Sequence, residues 1–211
     1  MAPLVKIDLD SRIRSGDKIV LELGCGTAPQ PGRIGIDLLD LPGVDIVADL
    51  EQGLPYIPDS SVDEIHSRSL LEHLDNFEGL MRDIVRVLKP GGTCHIFVPH
   101  FSNPYYYSDY THKRFFGLYT FYYFVAEENQ LKRTVPEFYT DIRIRILKIR
   151  LKFSSPFKVR RAIKKLWTAI FNSSRWMQEY YEENLCWKIP CYGMDIVFTP
   201  DKQGSSTLNG G

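Results

Sequence analysis

Two stretches of this 211-residue chain carry side chains whose types and spacing could do chemistry. The first is VLELGCGTAPQPGRIGIDLLD, residues 20–40, where Gly24 and Gly26 directly follow an apolar run. In a dinucleotide site a third glycine comes next, and a helix N-terminus then faces the pyrophosphate. Here Ala28 takes the third place and Pro29 and Pro31 follow. Each proline removes a backbone donor and disfavours helical geometry before it. Only ten residues separate Leu23 from Ile34, the lower limit for a parallel crossover. A ligand without phosphate suits such a turn. Glycines let an adenosine and an amino-acid moiety lie against the backbone, and Asp37 at the end of the next run can accept two ribose hydroxyls.

The second stretch is VPHFSNPYYYSDYTHKRFF, residues 98–116. Histidine titrates near neutrality, so His100 and His112 are candidate bases, with Asp109 to orient a ring and Tyr106 as a positioning donor. Asp109, Thr111 and His112 would serve equally well in capping a helix or satisfying loop backbone, and both readings stand. The spacing of His100, Asp109 and His112 matches no metal-site pattern. The four cysteines, at 25, 94, 186 and 191, show no metal or disulfide spacing and read as reduced thiols. No metal is therefore expected.

These residues need strands to hold them. Short apolar runs alternate with loop or helical segments at 18–23, 33–37, 44–48, 62–67 and 93–98, as in a parallel sheet of an α/β fold. NFEGLMRDIVRVLKPGG sets Phe77, Leu80, Ile84 and Val87 on one helical face and stops at Pro-Gly-Gly. Further on, 118–130 reads as helical, 141–153 alternates apolar and basic residues as a strand does, and 194–198 is a last short strand. A helical insertion, 157–187, separates the last two strands. One domain over 1–200 is expected, with 154–190 as insertion or lid and 201–211 as a disordered polar tail.

At this point a resemblance emerges. VLELGCGTAP, GIDLLD, VADLEQGLP, VDEIHSRSLLEHL and VLKPGG resemble, in order, the motifs of class I S-adenosylmethionine-dependent methyltransferases over roughly residues 18–100. A sub-group of small methyltransferases shares the glycine pair followed directly by the second strand. DYTHKRFF resembles a segment of the type 11-like enzymes of surface-polysaccharide and secondary pathways. The resemblance implies a Rossmann-like, seven-stranded, mostly parallel sheet with an antiparallel last strand. It implies S-adenosylmethionine as cofactor and S-adenosylhomocysteine as product. It also implies a cofactor site of Glu22, Gly24, Cys25 and Gly26 on the methionine side, Asp37 and Leu38 at the ribose, Asp49 and Leu50 at the adenine, and Ser67 and Arg68 closing the pocket mainly through backbone. His73, in LLEHL, would pack or orient the pocket wall.

Charge adds a further expectation. Net charge is zero, yet 142–178 holds eleven Lys or Arg and no acid. Within it Val159, Ile163, Leu166, Trp167, Ile170 and Phe171 form a helical stripe beside Arg160, Arg161, Lys164 and Lys165. Such a helix either lies on an anionic membrane or packs its stripe on the domain. No 18-residue apolar run or signal-like N-terminus occurs, so a cytoplasmic protein is expected, with peripheral membrane contact open. The expected activity is O- or N-methylation of a small-molecule or glycan-like acceptor. A non-catalytic binding module and an RNA methyltransferase are the alternatives, although no nucleic-acid signature accompanies the basic stretch.

Overall fold

The structure, a computed structural model, describes residues 2–202; the tail from 203 onward lies outside the described residues. Eight strands form one mixed sheet: β1 (Leu4–Val5), β2 (Val20–Leu23), β3 (Ile34–Asp37), β4 (Ile46–Val47), β5 (Val62–Arg68), β6 (Leu88–Pro99), β7 (Ile144–Lys152) and β8 (Gly193–Pro200). Their order is β1-β4-β3-β2-β5-β6-β8-β7. Strands β2 to β6 run parallel, while β8 is antiparallel to both β6 and β7. The Rossmann-like sheet with an antiparallel last strand is thus present. The difference from seven strands is β1, which pairs antiparallel with β4 and at two residues is too short to show any periodicity.

Among the described residues four α-helices accompany the sheet: α1 (Leu9–Arg14), α2 (Phe77–Val87), α3 (Lys158–Phe171) and α4 (Arg175–Asn184). Asn76 caps α2 by accepting from Gly79 N, and Phe77, Leu80, Met81, Ile84 and Val87 are buried, the amphipathic pattern of a helix packed on a core. The chain between β2 and β3 makes turns without a helix, as its prolines dictate. Segment 118–130 is a correction: it forms two 3-10 turns, Thr120–Phe124 and Glu127–Asn129. Phe121 and Phe124 seat on Phe77 with ring centroids 6.0 and 5.8 Å apart, and Tyr122 and Val125 are buried as well. With rings inward on nearly every side, tertiary packing overrides helical periodicity. At the other end Asp201 N donates to Arg143 O and Lys202 Nζ reaches Leu88 O, so the first two residues of the expected tail are tied to the sheet.

Cross-strand register separates two faces. Leu21, Ile65, Cys94 and Phe198 lie side by side and are buried. One residue along, Glu22, His66, His95, Val197 and Lys148 form the opposite row. This second row lines a cleft of about 480 Å³ whose walls are strand residues and the 24–33 loop, with no helix residue among them.

Candidate functional site

The glycine turn sits at the carboxyl end of β2. Gly24 and Gly26 have φ of +67° and +59°, left-handed values that favour glycine. A Cβ at Gly24 would stand 3.1 Å from the Leu70 side chain, whereas one at Gly26 would meet nothing within 4 Å. The wall at Gly26 is therefore open to a ligand. Gly26 N donates to Asp37 Oδ2 at 2.9 Å and Leu39 N to Asp37 Oδ1 at 3.1 Å. Each oxygen keeps a lone pair for a further donor. Ser67 pairs with Leu23 in register, and its hydroxyl oxygen is buried without a partner. Cys25 packs its sulfur on Gly35, and burial, then Asp37 and Glu22, push its thiol up to about 11. Leu38 is exposed. Asp49 Oδ1 accepts from Glu51 N and caps the turn Leu50–Gln52, with Leu50 buried.

An adenosyl ligand fits this cradle: an open glycine wall, a carboxylate with spare lone pairs and an orphaned hydroxyl meet at neighbouring strand ends. The side chains of two other expected residues are held by neighbouring protein groups. Glu22 Oε2 accepts from Gln30 N at 2.8 Å and Oε1 lies 3.5 Å from Arg33 Nη1, so this carboxylate fastens the proline loop that stands where a helix would be. Arg68 stacks on Phe97, 4.4 Å from the ring centroid. Both line the open-face cleft.

After β6 the expected catalytic residues divide into two groups. His100 is fully buried. Ser102 N donates to its Nδ1 at 3.1 Å, so its Nε2 carries the proton and donates to Glu182 Oε2 at 2.9 Å. The position expected to offer a base instead braces the end of β6 against α4. Tyr106 is buried too, its hydroxyl donating to Arg114 O, so this expected positioning donor is already committed; its ring packs 4.5 Å from that of His112.

His112 and Asp109 belong to a cluster with two residues from the loop after β5. Lys113 N and Arg114 N donate to Glu72 O, and Arg114 Nε donates to Leu74 O at 2.7 Å. This strap lays DYTHKRFF on LLEHL. His73 and His112 then meet edge to face, centroids 4.8 Å apart. Asp109 Oδ1 accepts from Thr111 N and Thr111 Oγ1, and Asp109 Oδ2 is 3.5 Å from His112 Nε2. Beside them Glu72 is 1% exposed with Oε2 unpartnered. Burial, reinforced by Asp109, pushes its carboxyl up to about 7. Sequence reading missed Glu72; the available signal was a lone acid in an apolar run at a strand's carboxyl end.

A second cleft, of about 620 Å³, is walled by Phe101, Tyr119, Tyr123, Trp176 and Tyr180, with Lys132, Arg133, Val135, Glu179, Glu182 and Glu183. Trp176 and Tyr180 stack with centroids 5.3 Å apart.

Comparison with known proteins adds to this geometry. Residues 36–96 match the family described as methyltransferase domain. No curated protein matches the chain. Among solved structures, the chain is similar to MccD protein at 14% identity, covering 90% of this chain and 95% of that one, TM-score 0.51. It is also similar to Haemonchus contortus phosphoethanolamine N-methyltransferase 2 in complex with S-adenosyl-L-methionine, at 14% identity, 87% and 48% coverage and TM-score 0.50. Identities this low speak for the fold, and the family match speaks for the motifs running from β3 to β6. The chain thus carries a match to a methyltransferase domain over residues 36–96 and shares the fold of these two structures.

Proposed function

We propose that the chain transfers the methyl group of S-adenosylmethionine to an oxygen or nitrogen of a small-molecule or glycan-like acceptor. The observation that carries this reading is the pairing of the open glycine turn with the Glu72, His73 and His112 cluster, whose loop touches that turn through Leu70. Gly24, Cys25, Gly26, Asp37 and Ser67 would hold the cofactor, with Leu38 beside the ribose and Asp49 and Leu50 at the adenine. Methyl transfer from a sulfonium is an in-line displacement, so fixing the acceptor supplies much of the acceleration. A hydroxyl or protonated amine must also lose a proton, and a group near neutrality suits that task. The cleft beside Phe101 offers aromatic faces for the C–H faces of a sugar and carboxylates for its hydroxyls.

Calorimetry tests the cofactor reading: S-adenosylhomocysteine binds, NAD does not, and Asp37→Ala weakens binding at least about tenfold through lost hydrogen bonds. NAD binding with no response to S-adenosylhomocysteine would overturn it. Methyl transfer from labelled cofactor to oligosaccharides or small amines supports the acceptor class, and transfer to tRNA alone replaces it with the RNA reading.

Peripheral contact with an anionic membrane is favoured by one observation. Trp167 and Phe171 of α3 pack inward, stacked at 5.6 Å, while Val159, Ile163, Leu166 and Ile170 of the same stripe are exposed. Lys164 turns in to Pro190 O, leaving Arg160, Arg161 and Lys165 exposed beside that row. Each surface-proximal cation is worth about 1 kcal/mol on an anionic bilayer. Co-sedimentation with anionic but not neutral vesicles, lost in high salt, is expected; no binding at low salt rejects the contact. Among the described residues no helix is long and apolar enough to cross a membrane.

A further inference from the structure

We infer that Glu72, His73 and His112 form a binding site for one divalent transition-metal ion. One donor atom from each lies within 4.8 Å of the other two. The hydrogen bonds around them fix which atoms are available. Thr111 Oγ1 is 2.6 Å from Asp109 Oδ1 and 2.9 Å from His73 Nδ1. The hydroxyl has a single proton and the carboxylate can only accept, so Thr111 donates to Asp109 and accepts from His73 Nδ1–H. His112 Nδ1 is 2.9 Å from the Tyr106 carbonyl, which likewise only accepts. Both imidazoles therefore carry a proton on Nδ1, so in the neutral ring the lone pair lies on Nε2, the atom open to a metal. An outer N–H held by a protein acceptor is the arrangement that orients histidine ligands around metals.

The carboxylate supplies an independent observation. Glu72 Oε2 is buried with no hydrogen-bond partner, and an unpaired buried charge is costly. The nearby cations do not reach it: Lys113 Nζ pairs with Asp75 and Glu51, and the Arg114 guanidinium is spent on the Leu74 and Asp75 carbonyls. A metal ion at the cluster compensates this oxygen. Two imidazoles and one carboxylate suit zinc, cobalt, manganese or ferrous iron better than the oxygen-seeking calcium or magnesium. Ligand distances of about 2.0–2.2 Å require the donors to draw together by side-chain rotation, and Asp109 Oδ2 is near enough to His112 to join as a fourth ligand.

A second trio, Glu64, His66 and His95, also clusters, but its groups are already satisfied. Glu64 holds Lys18 at 2.8 Å and His66 at 2.6 Å, and His95 Nε2 lies 3.1 Å from Thr93 Oγ1. It serves as the control. If the methyltransferase reading holds, the ion at Glu72 has a coordination position for an acceptor oxygen, whose proton it would acidify. The binding measurement itself does not depend on that reading.

The test uses the full chain stripped by chelator, titrated with cobalt(II) and with zinc(II) alone, and followed by visible absorption and calorimetry. One equivalent binds, with a cobalt absorption band in the visible. Glu72→Gln and His112→Asn each weaken binding more than tenfold with unchanged circular dichroism, and His66→Asn leaves it unchanged. If Glu72→Gln does not fold, Thr111→Val, which removes only the hydroxyl holding His73, weakens binding about tenfold. No uptake by the folded chain overturns the site, as does full affinity in Glu72→Gln or loss of binding in His66→Asn.

Discussion

The buried row Leu21, Ile65, Cys94, Phe198 and the open row Glu22, His66, His95, Val197, Lys148 lie back to back on the same strands. Parallel sheets are usually covered on both faces and read as nearly continuous apolar runs. Here the central strands alternate instead, and the charged positions face a cleft walled by strands and one loop. The cause is local. The crossover from β2 to β3 is blocked by Pro29 and Pro31, and eight residues join β3 to β4, so neither connection is long enough for a covering helix. The proline loop itself lies on Gly35, where a Cβ would come within 2.8 Å of Cys25 Sγ. Elsewhere that face is spanned by ion pairs: Lys18 with Glu64, Glu22 with Arg33, Lys152 with Asp195. One face supplies core burial and the other carries paired charges beside an open cleft.

The sharpest way to break this comparison is to cut into the buried row. Phe198→Ala is expected to cost about 3–5 kcal/mol through lost burial and a residual cavity, seen as a lower urea midpoint. A loss below about 1 kcal/mol would mean that the row is not the core.

A smaller effect comes from acid. The hydrogen bond from Lys18, with His66 adding, holds the Glu64 carboxyl at about 2 against an ordinary value of 4.5. A folded value below the unfolded one means that the stability is present above pH 4.5 and is lost as pH falls from 4.5 towards 2. Discounted for a side chain 22% exposed, the loss is about 1–2 kcal/mol. Urea melts at pH 6 and pH 3 check it: Glu64→Gln should remove that part of the acid sensitivity, and identical slopes in variant and parent would reject the role. The smallest effect is expected on the open row, where His95→Asn should shift stability by no more than about 0.5 kcal/mol. A larger loss would show that the face is structurally loaded.

Much of this was legible in the chain. The alternation in KIVLEL and VDEIHSR already separates a buried from a polar face, and Gly24, Gly26 and the two prolines already describe a turn without a helix. These signals are local, since strand and helix periodicities are written within a few residues. What failed, or stayed open, depended on partners far along the chain. His100 is a brace because Glu182, 82 residues away, meets its Nε2. The 118–130 segment abandons a helix because its rings find Phe77.

Sequence by itself therefore determined the α/β alternation, the helix-free glycine turn with Asp37 beside it, and an amphipathic α3. Only the tertiary structure decided which half of the α3 stripe faces outward, that Glu22 fastens a loop, and that Glu72 and His73 meet His112, 39 positions beyond His73. The reason is physical: backbone geometry repeats along the chain and can be read from spacing, whereas a site assembled from two loops exists only once strand order and register have brought the carboxyl ends of β5 and β6 together.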